Sequence, residues 1–507
     1  MSTTHLPPHI RAMLQPAFYP HTATKVELIQ THISWVFLAG DFAYKVKKPV
    51  DFSFLNFTTL DKRKYYCERE LELNRRLSPT LYLDVLPIHH RDGDIRLDGP
   101  GEVLEYCLKM ARFSQNDLLD RRLQQGLFDA AWMDELAHDI ARFHAQAERA
   151  PEDSGFGSTD SLRSHIEAIF SVARQHLGEV LSAEELASLE TQSMGFLATH
   201  DMLCERRCTA GFIRACHGDL HLKNIALYQG HPCIFDCIEF NDAFRMIDTM
   251  NDIAFLVMDC MARDRADLAW RFLSRYLEHS GDYAGLGLLP LYLAYRAGVR
   301  GKVACLLAAD GHLDHHQHRA QLAEARCYFQ LAPGFITRPT PHLFVIGGLS
   351  GSGKSHLALV GAGEIPAIVI RSDATRKRLA HSRPDLPLYG QEMNAKTYAT
   401  MFDAARTALA ASFSVILDAT FLHREDRDTA RAIASSMHIP GHIFWLDMPE
   451  DILRQRILAR GKQGADISDA DIRVLEMQLR EYVRPDEPDV EFLRDSSQWP
   501  AYITSTA

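Results

Sequence analysis

Asp219 and Asn224 stand five residues apart in the run HGDLHLKN, and Asp236 ends the apolar stretch that follows. An Asp that receives the proton of an attacking hydroxyl, beside an Asn and an Asp that hold Mg²⁺, is the set of groups that kinase-type phosphotransfer requires. Ile225–Tyr228 and Cys233–Asp236 read as short strands of a hairpin around a four-residue Gly-Pro turn, QGHP. That register sets Ile225 opposite Asp236 and Asn224 within about one residue of it. A different phosphate-binding device follows. Gly348 to Ser355 fits G-x4-G-K-S between an apolar strand and a helical stretch, the context that the motif needs. Backbone N–H groups across Gly348, Ser350, Gly351, Ser352 and Gly353 would cradle phosphates, Lys354 would reach the terminal ones, and Ser355 would ligate Mg²⁺.

Each site needs more charges. SWVFLAGDFAYKVKK reads as a hairpin turning at Gly40-Asp41, with Lys45 and Lys47 on one face of its second strand. Either lysine can oppose nucleotide phosphates. In the next helix Tyr66, Leu73 and Leu77 form an apolar stripe, with Glu70 about 40° from it and Glu68 and Glu72 pointing away. An inward Glu70 needs a cationic partner. At the second site Asp418 ends an apolar strand and suits metal or water binding, and Asp373 follows another strand at the phosphate end of the sheet. The lesser alternative for Asp373 is a helix cap ahead of a solvated basic helix. Arg456 and Arg460 lie one helical turn apart, before a polar segment and a helix capped by Ser468. They fit a lid closing on a triphosphate, and a plain surface helix would look much the same.

These groups must be positioned by more than one core, since the chain has 507 residues. Composition is that of a globular protein, 46% hydrophobic and 24% charged, with a formal net charge of −11 and no dense run of Lys and Arg. That argues against bulk binding to nucleic acid or an anionic membrane. With neither a signal-peptide pattern nor a membrane-length apolar run, the expected location is the cytoplasm. The ten cysteines lie between Cys67 and Cys327 without regular spacing, and read as reduced thiols. Strands are expected at about 25 to 50, then mostly helix with a strand interlude near 212 to 236. The boundary falls in LAPGFITRPTPH, residues 331 to 342. Beyond it, HLFVIGG, AIVIRSD, SVILDAT and HIFWLDM alternate with helical stretches, as in a parallel sheet covered on both faces. The His-rich run at 310 to 319 reads as a loop. The expected fold is therefore an α+β domain over 1–335 followed by an α/β P-loop domain over 336–507.

Residues 25 to about 330 resemble the aminoglycoside phosphotransferase family, small-molecule relatives of protein kinases. The resemblance rests on His217, Gly218, Asp219, Asn224 and Asp236, with Lys45 most similar to the family's lysine and Glu70 to its helix partner. It implies that Asp252, in MNDIAFL, braces the catalytic loop. The chain departs from kinases in lacking a glycine-rich loop before Lys45, where Thr31 and Ser34 are the remaining phosphate donors. Residues 342 to about 490 resemble P-loop small-molecule kinases, a group similar to gluconate kinases, zeta-type toxins and polynucleotide kinase domains. SD-x2-R, the DATF block with Arg424 and Arg427, and the R-x3-RG lid carry that likeness, which implies that Asp373 is the acceptor's general base. The fused arrangement resembles bacterial proteins that join a phosphotransferase domain to a P-loop ATPase. Together they imply two sites that use ATP and Mg²⁺ to phosphorylate hydroxyls of small molecules. The rival expectation is one catalytic domain gated by an ATP-sensing partner domain.

Overall fold

A computed structural model of the chain describes residues 6–52, 55–309, 313–461, 472–494 and 499, leaving aside the side chains of 460 and 461. By its internal contacts the chain forms two compact units. One comprises Met1–Trp132, Gln146–Gly157 and Arg207–Asp252; the other comprises Met133–Ala145, Ser158–Arg206 and Ile253–Ala507.

The first unit is built on strands β1 (Val26–Gln30), β2 (Ser34–Ala39), β3 (Phe42–Lys47), the short pair β4 (Asp51–Phe52) and β5 (Leu55–Asn56), then β6 (Tyr82–Arg91), β7 (Asp94–Leu97) and β8 (Glu102–Ala111). All but β4 and β5 join one antiparallel sheet in the order β1-β2-β3-β8-β6-β7. Alternation along β3 sorts its side chains. Tyr44 and Val46 enter a cluster with Ile10, Met13, Trp35 and Phe37, leaving Lys45 and Lys47 on the opposite face. That face is covered by the helix Leu60–Arg75, capped by the Thr59 hydroxyl, which accepts the Lys62 N–H. Its buried residues are Arg63, Cys67, Glu70, Leu73 and Asn74, so the inward stripe is largely polar.

Residues 82–111 correct the expectation of helix there. β6 shifts register between Tyr82 and Asp84 and again between Ile88 and His89, and each irregularity breaks the period-two pattern that marks a strand. Four further strands follow: β9 (Ile213–Ala215) pairs with β12 (Met246–Asp248), and β10 (Ile225–Tyr228) with β11 (His231–Ile234).

The second unit contains a parallel sheet of β13 (Leu343–Gly347), β14 (Ala367–Arg371), β15 (Ser414–Asp418), β16 (Gly441–Leu446) and β17 (Val490–Leu493), in the order β14-β15-β13-β16-β17. β13 to β16 are the four apolar runs read from the sequence. Each is buried along most of its length, as a sheet covered on both faces demands. The expected linker starts later than 331, because the helix His315–Ile336 runs through Pro333. Ala325, Tyr328, Phe329, Ala332 and Phe335 are buried along it, and this packing outweighs the cost of the proline. The same helix overturns the loop reading of the His-rich run from His315 onward, where an Asp314–Gln317 capping box opens it. No helix among the described residues is long and apolar enough to cross a membrane.

Edge strand β14 does not stand open. The helix Ala266–Ser280 packs on it, and the Ser274 hydroxyl accepts the Val369 N–H at 3.0 Å. Ser274→Ala leaves that buried N–H unpaired, so a loss of about 1–3 kcal/mol in unfolding free energy is expected from urea titration. An unchanged transition midpoint would show that water replaces the hydroxyl.

Candidate functional sites

In the first unit Glu70 is fully buried, and both lysines of β3 reach it: Lys45 donates to Oε1 at 2.8 Å and Lys47 to Oε2 at 2.6 Å. The two then diverge. Lys45 also donates to the Asp236 carboxylate at 2.6 Å, whereas Lys47 turns to Glu239 and lies over the Phe57 ring. Burial by itself would lower the Lys45 ammonium, but the flanking Asp236 and Glu70 hold it well above the ordinary lysine value. Burial would raise Glu70, and the two ammonium groups instead bring it down to about 2. Glu239 is a partner that the sequence reading missed; its position in DCIEF, three residues after Asp236, gave no sign of its distant lysine.

The loop before β10 is fixed through its backbone. Asp252 accepts the N–H groups of His217 at 3.0 Å and Gly218 at 2.8 Å, the brace that the resemblance implied. Gly218 has φ +86°, and a Cβ there would meet the Phe244 carbonyl oxygen at 2.7 Å. His217 is buried, which lowers its pKa and keeps the ring neutral. Its Nδ1 accepts the Asp219 N–H at 3.3 Å, so Nε2 carries the proton and donates to the Phe235 carbonyl at 3.0 Å. Asn224 donates to the Asp219 carboxylate at 2.7 Å, which leaves its Oδ1 as the atom able to meet a cation.

The hairpin forms, but in a tighter register than QGHP suggested. Tyr228 pairs with His231 and Ile225 with Ile234, so only Gln229 and Gly230 form the turn, both with positive φ. Such a turn matches the natural strand twist, which the four-residue count overlooked. Asn224 consequently lies opposite Phe235, whose N–H it accepts at 3.0 Å, with Asp236 next. Asp236 has φ +65°, a left-handed conformation that few residues other than glycine adopt and that Asp tolerates better than most. Its N–H donates to the Tyr82 hydroxyl at 2.9 Å, and the Cys237 N–H donates to Asn74 at 2.9 Å. Ser34 is corrected as a phosphate donor: it is fully buried opposite Lys47. Thr31 is exposed, and its hydroxyl accepts the Ser34 N–H at 2.9 Å.

The second site is a cleft of about 930 Å³ at the C-terminal ends of β13, β14 and β15, lined by the P-loop, Asp373, Arg376, Tyr398, Asp418 and Arg456 among others. Gly348, Gly351 and Gly353 have φ of +139°, +84° and +101°, conformations closed to most side chains. Their turn leads into the helix Lys354–Glu364, whose first three residues line the cleft and whose first N–H groups have no partner within the helix. The Ser355 hydroxyl donates to Asp418 at 2.6 Å. Burial raises the pKa of Asp418, opposed by Lys354 and that hydrogen bond. Lys354 reaches the Leu349 carbonyl at 3.0 Å, and Arg456 the Ser352 carbonyl at 3.1 Å. Gln478, absent from the sequence reading, accepts the Ser350 N–H at 2.9 Å from a helix well downstream.

Asp373 is the second residue of the helix Ser372–Ser382, whose N-cap is Arg371, so it is not the cap. It pairs with Arg376 at 2.9 Å. Arg427 is buried on Glu487 and the Phe421 carbonyl, outside the cleft lining. The Arg460 side chain and Ser468 lie outside the described residues.

Residues 343–485 match the family described as AAA domain. Uncharacterized proteins of Mycobacterium tuberculosis and Mycobacterium bovis are 32% identical over 449 residues, covering 87% of this chain and 87% of each relative. Among solved structures, a choline/ethanolamine kinase family protein from Mesorhizobium loti aligns over 64% of this chain and 98% of its own, at 14% identity and TM-score 0.40. The APS kinase of Mycobacterium tuberculosis aligns over 33% of this chain and 95% of its own, at 22% identity and TM-score 0.24.

A carboxyl whose folded pKa lies below its unfolded value contributes stability above the unfolded value and loses it as pH falls toward the folded one. For Glu70, held at about 2, that stability is present above roughly pH 4.5 and is lost as the pH falls below it. Urea titrations of wild type and Glu70→Gln between pH 7 and 3 are expected to show their stability gap narrowing below about pH 4.5. A gap that stays constant would mean that Glu70 is not ionised in the folded chain.

Proposed function

The chain belongs to the family that includes these mycobacterial proteins, and we propose that it is a two-site phosphotransferase, each site moving the γ-phosphoryl group of ATP to a hydroxyl of a small molecule. The observation that carries this reading is the pairing of carboxylates. Each site holds one beside a phosphate-facing cation (Asp236 with Lys45, Asp418 near Lys354) and another set apart from it (Asp219, Asp373). A protein that only senses nucleotide has no use for the second. The proposed functional division is 1–335 and 336–507.

In the proposed chemistry Asp219 or Asp373 takes the acceptor's proton as its oxygen bonds to the γ-phosphorus. The bond to the bridging oxygen breaks and ADP leaves. Lys45, aimed by Glu70, opposes the phosphates at the first site; Lys354 and the P-loop N–H groups do so at the second, with Arg456 and Arg460 as lid cations. Oxygen donors suit Mg²⁺ at both: the Asn224 Oδ1 with Asp236, and Ser355 with Asp418. Mg²⁺, when bound, offsets charge on the β- and γ-phosphates. The acceptors are small molecules, with neither bulk nucleic acid nor membrane as partner, and the reaction belongs to the cytoplasm. A second reading, in which the P-loop module gates the other site, draws on the inward hydrogen bonds of Lys354 to Leu349 and of Ser350 to Gln478.

Full-length variants distinguish the two, assayed for ADP release against a metabolite library. In a Lys354→Ala background, which isolates the first site, Asp219→Asn is expected to cut acceptor phosphorylation about 10²–10⁴-fold while ATP binding survives. In an Asp236→Ala background, Lys354→Ala is expected to abolish nucleotide binding at the second site. Asp373→Asn there retains binding and loses transfer by a similar factor. Slow hydrolysis that no acceptor accelerates, equal in wild type and Asp373→Asn, would leave the P-loop module as a sensor.

A further inference from the structure

Arg371 ends β14 and lines the P-loop cleft, yet its guanidinium is paired with a carboxylate from outside that lining. Glu278, on the Ala266–Ser280 helix, takes it with both carboxylate oxygens. Arg275 donates to the same carboxylate at 3.0 and 3.1 Å. Asp134 in turn accepts from Arg271 at 2.7 and 2.8 Å and from Arg275 at 3.3 Å. Three guanidinium groups thus share two carboxylates, and Arg371, Glu278 and Arg275 are at most 7% exposed.

A buried cation needs a partner. Arg371 has a second buried anion within reach, for its register partner across the sheet is Asp418, the residue that accepts from Ser355. The next two residues in sequence are Ser372 and Asp373. Arg371 therefore has two buried carboxylates near it: Glu278, which it meets with both oxygens, and Asp418, which it influences electrostatically.

We propose that Glu278 is a positioning residue of the P-loop site: it holds Arg371 off Asp418, leaving that carboxylate to Ser355 and Mg²⁺, and fixes the strand end from which Asp373 departs. This rests on the reading of the cleft as a Mg²⁺–nucleotide site. Without Glu278 the Arg371 guanidinium turns to Asp418 and competes with the cation. Loss of a residue that orients a metal ligand typically weakens metal affinity 10–100-fold.

The test uses the full-length chain carrying Asp236→Ala, so that a fluorescent N-methylanthraniloyl ATP reports the P-loop site. The measured quantity is the Mg²⁺ concentration that half-saturates binding. Lys354→Ala first establishes the signal; if wild type at this site binds no analogue, the nucleotide reading fails independently of Glu278. Glu278→Gln is expected to raise the Mg²⁺ requirement about tenfold or more, with analogue affinity in EDTA unchanged. Glu278→Asp, which keeps the charge balance should the Gln variant not fold, is expected to shift it in the same direction by less. Adding Arg371→Met to either restores the wild-type requirement, a rescue that a merely structural role for Glu278 would not give. An unchanged requirement in both single variants, or double variants shifted as far as the singles, overturns the proposal.

Discussion

Glu70 is the point on which the first site turns. A carboxylate with no solvent exposure survives as an anion because two ammonium groups donate to it, one to each oxygen. Removing one member of such a group costs about 3–5 kcal/mol, since an uncompensated charge is left behind. Through the lysines, the same carboxylate ties the helix that carries it to β3, to Asp236 and to Glu239. The geometry of Lys45, Lys47, Asp236 and the helix is therefore one electrostatic problem with one solution.

The two sites meet the same demand by different physics. The first relies on side chains brought together from distant segments, with Lys45 and Asp236 separated by 191 positions. The second relies on backbone: three glycines with positive φ shape a turn, and a helix starts behind it. That difference governed what could be read in advance. The P-loop is local, and its strands are continuous apolar runs, so the sequence shows both. The inward face of the Leu60–Arg75 helix was legible only in part. Glu70 emerged because it lies near the apolar stripe, while Arg63 and Asn74, also buried, did not, since the first depends on Glu105 in β8 and the second on Cys237.

The remaining misses share a cause. β6 and β8 lack clean alternation where their pairing slips, and the hairpin turn was miscounted because His231 and Pro232 are loop-like residues that here belong to a strand. Gln478 and Glu278 could not be found by spacing at all. Each acts across more than 90 positions of chain, on Ser350 and Arg371. Asp236 is the intermediate case: its carboxylate was legible and its left-handed backbone was not, because the acceptors that hold that turn, Tyr82 for its own N–H and Asn74 for the Cys237 N–H, sit on other elements.

The hydroxyl of Ser274 against edge strand β14 bears on how such a chain can be inherited. A gene break just after Ile336 looks like a natural seam, because the P-loop motif and all five parallel strands lie beyond it. Yet a module cut there leaves behind the groups that close its own sheet edge and hold Arg371. A P-loop fragment begun at that seam would expose the edge of β14 and leave Arg371 without its carboxylate. Passed on alone, such a fragment would need some other cover for β14.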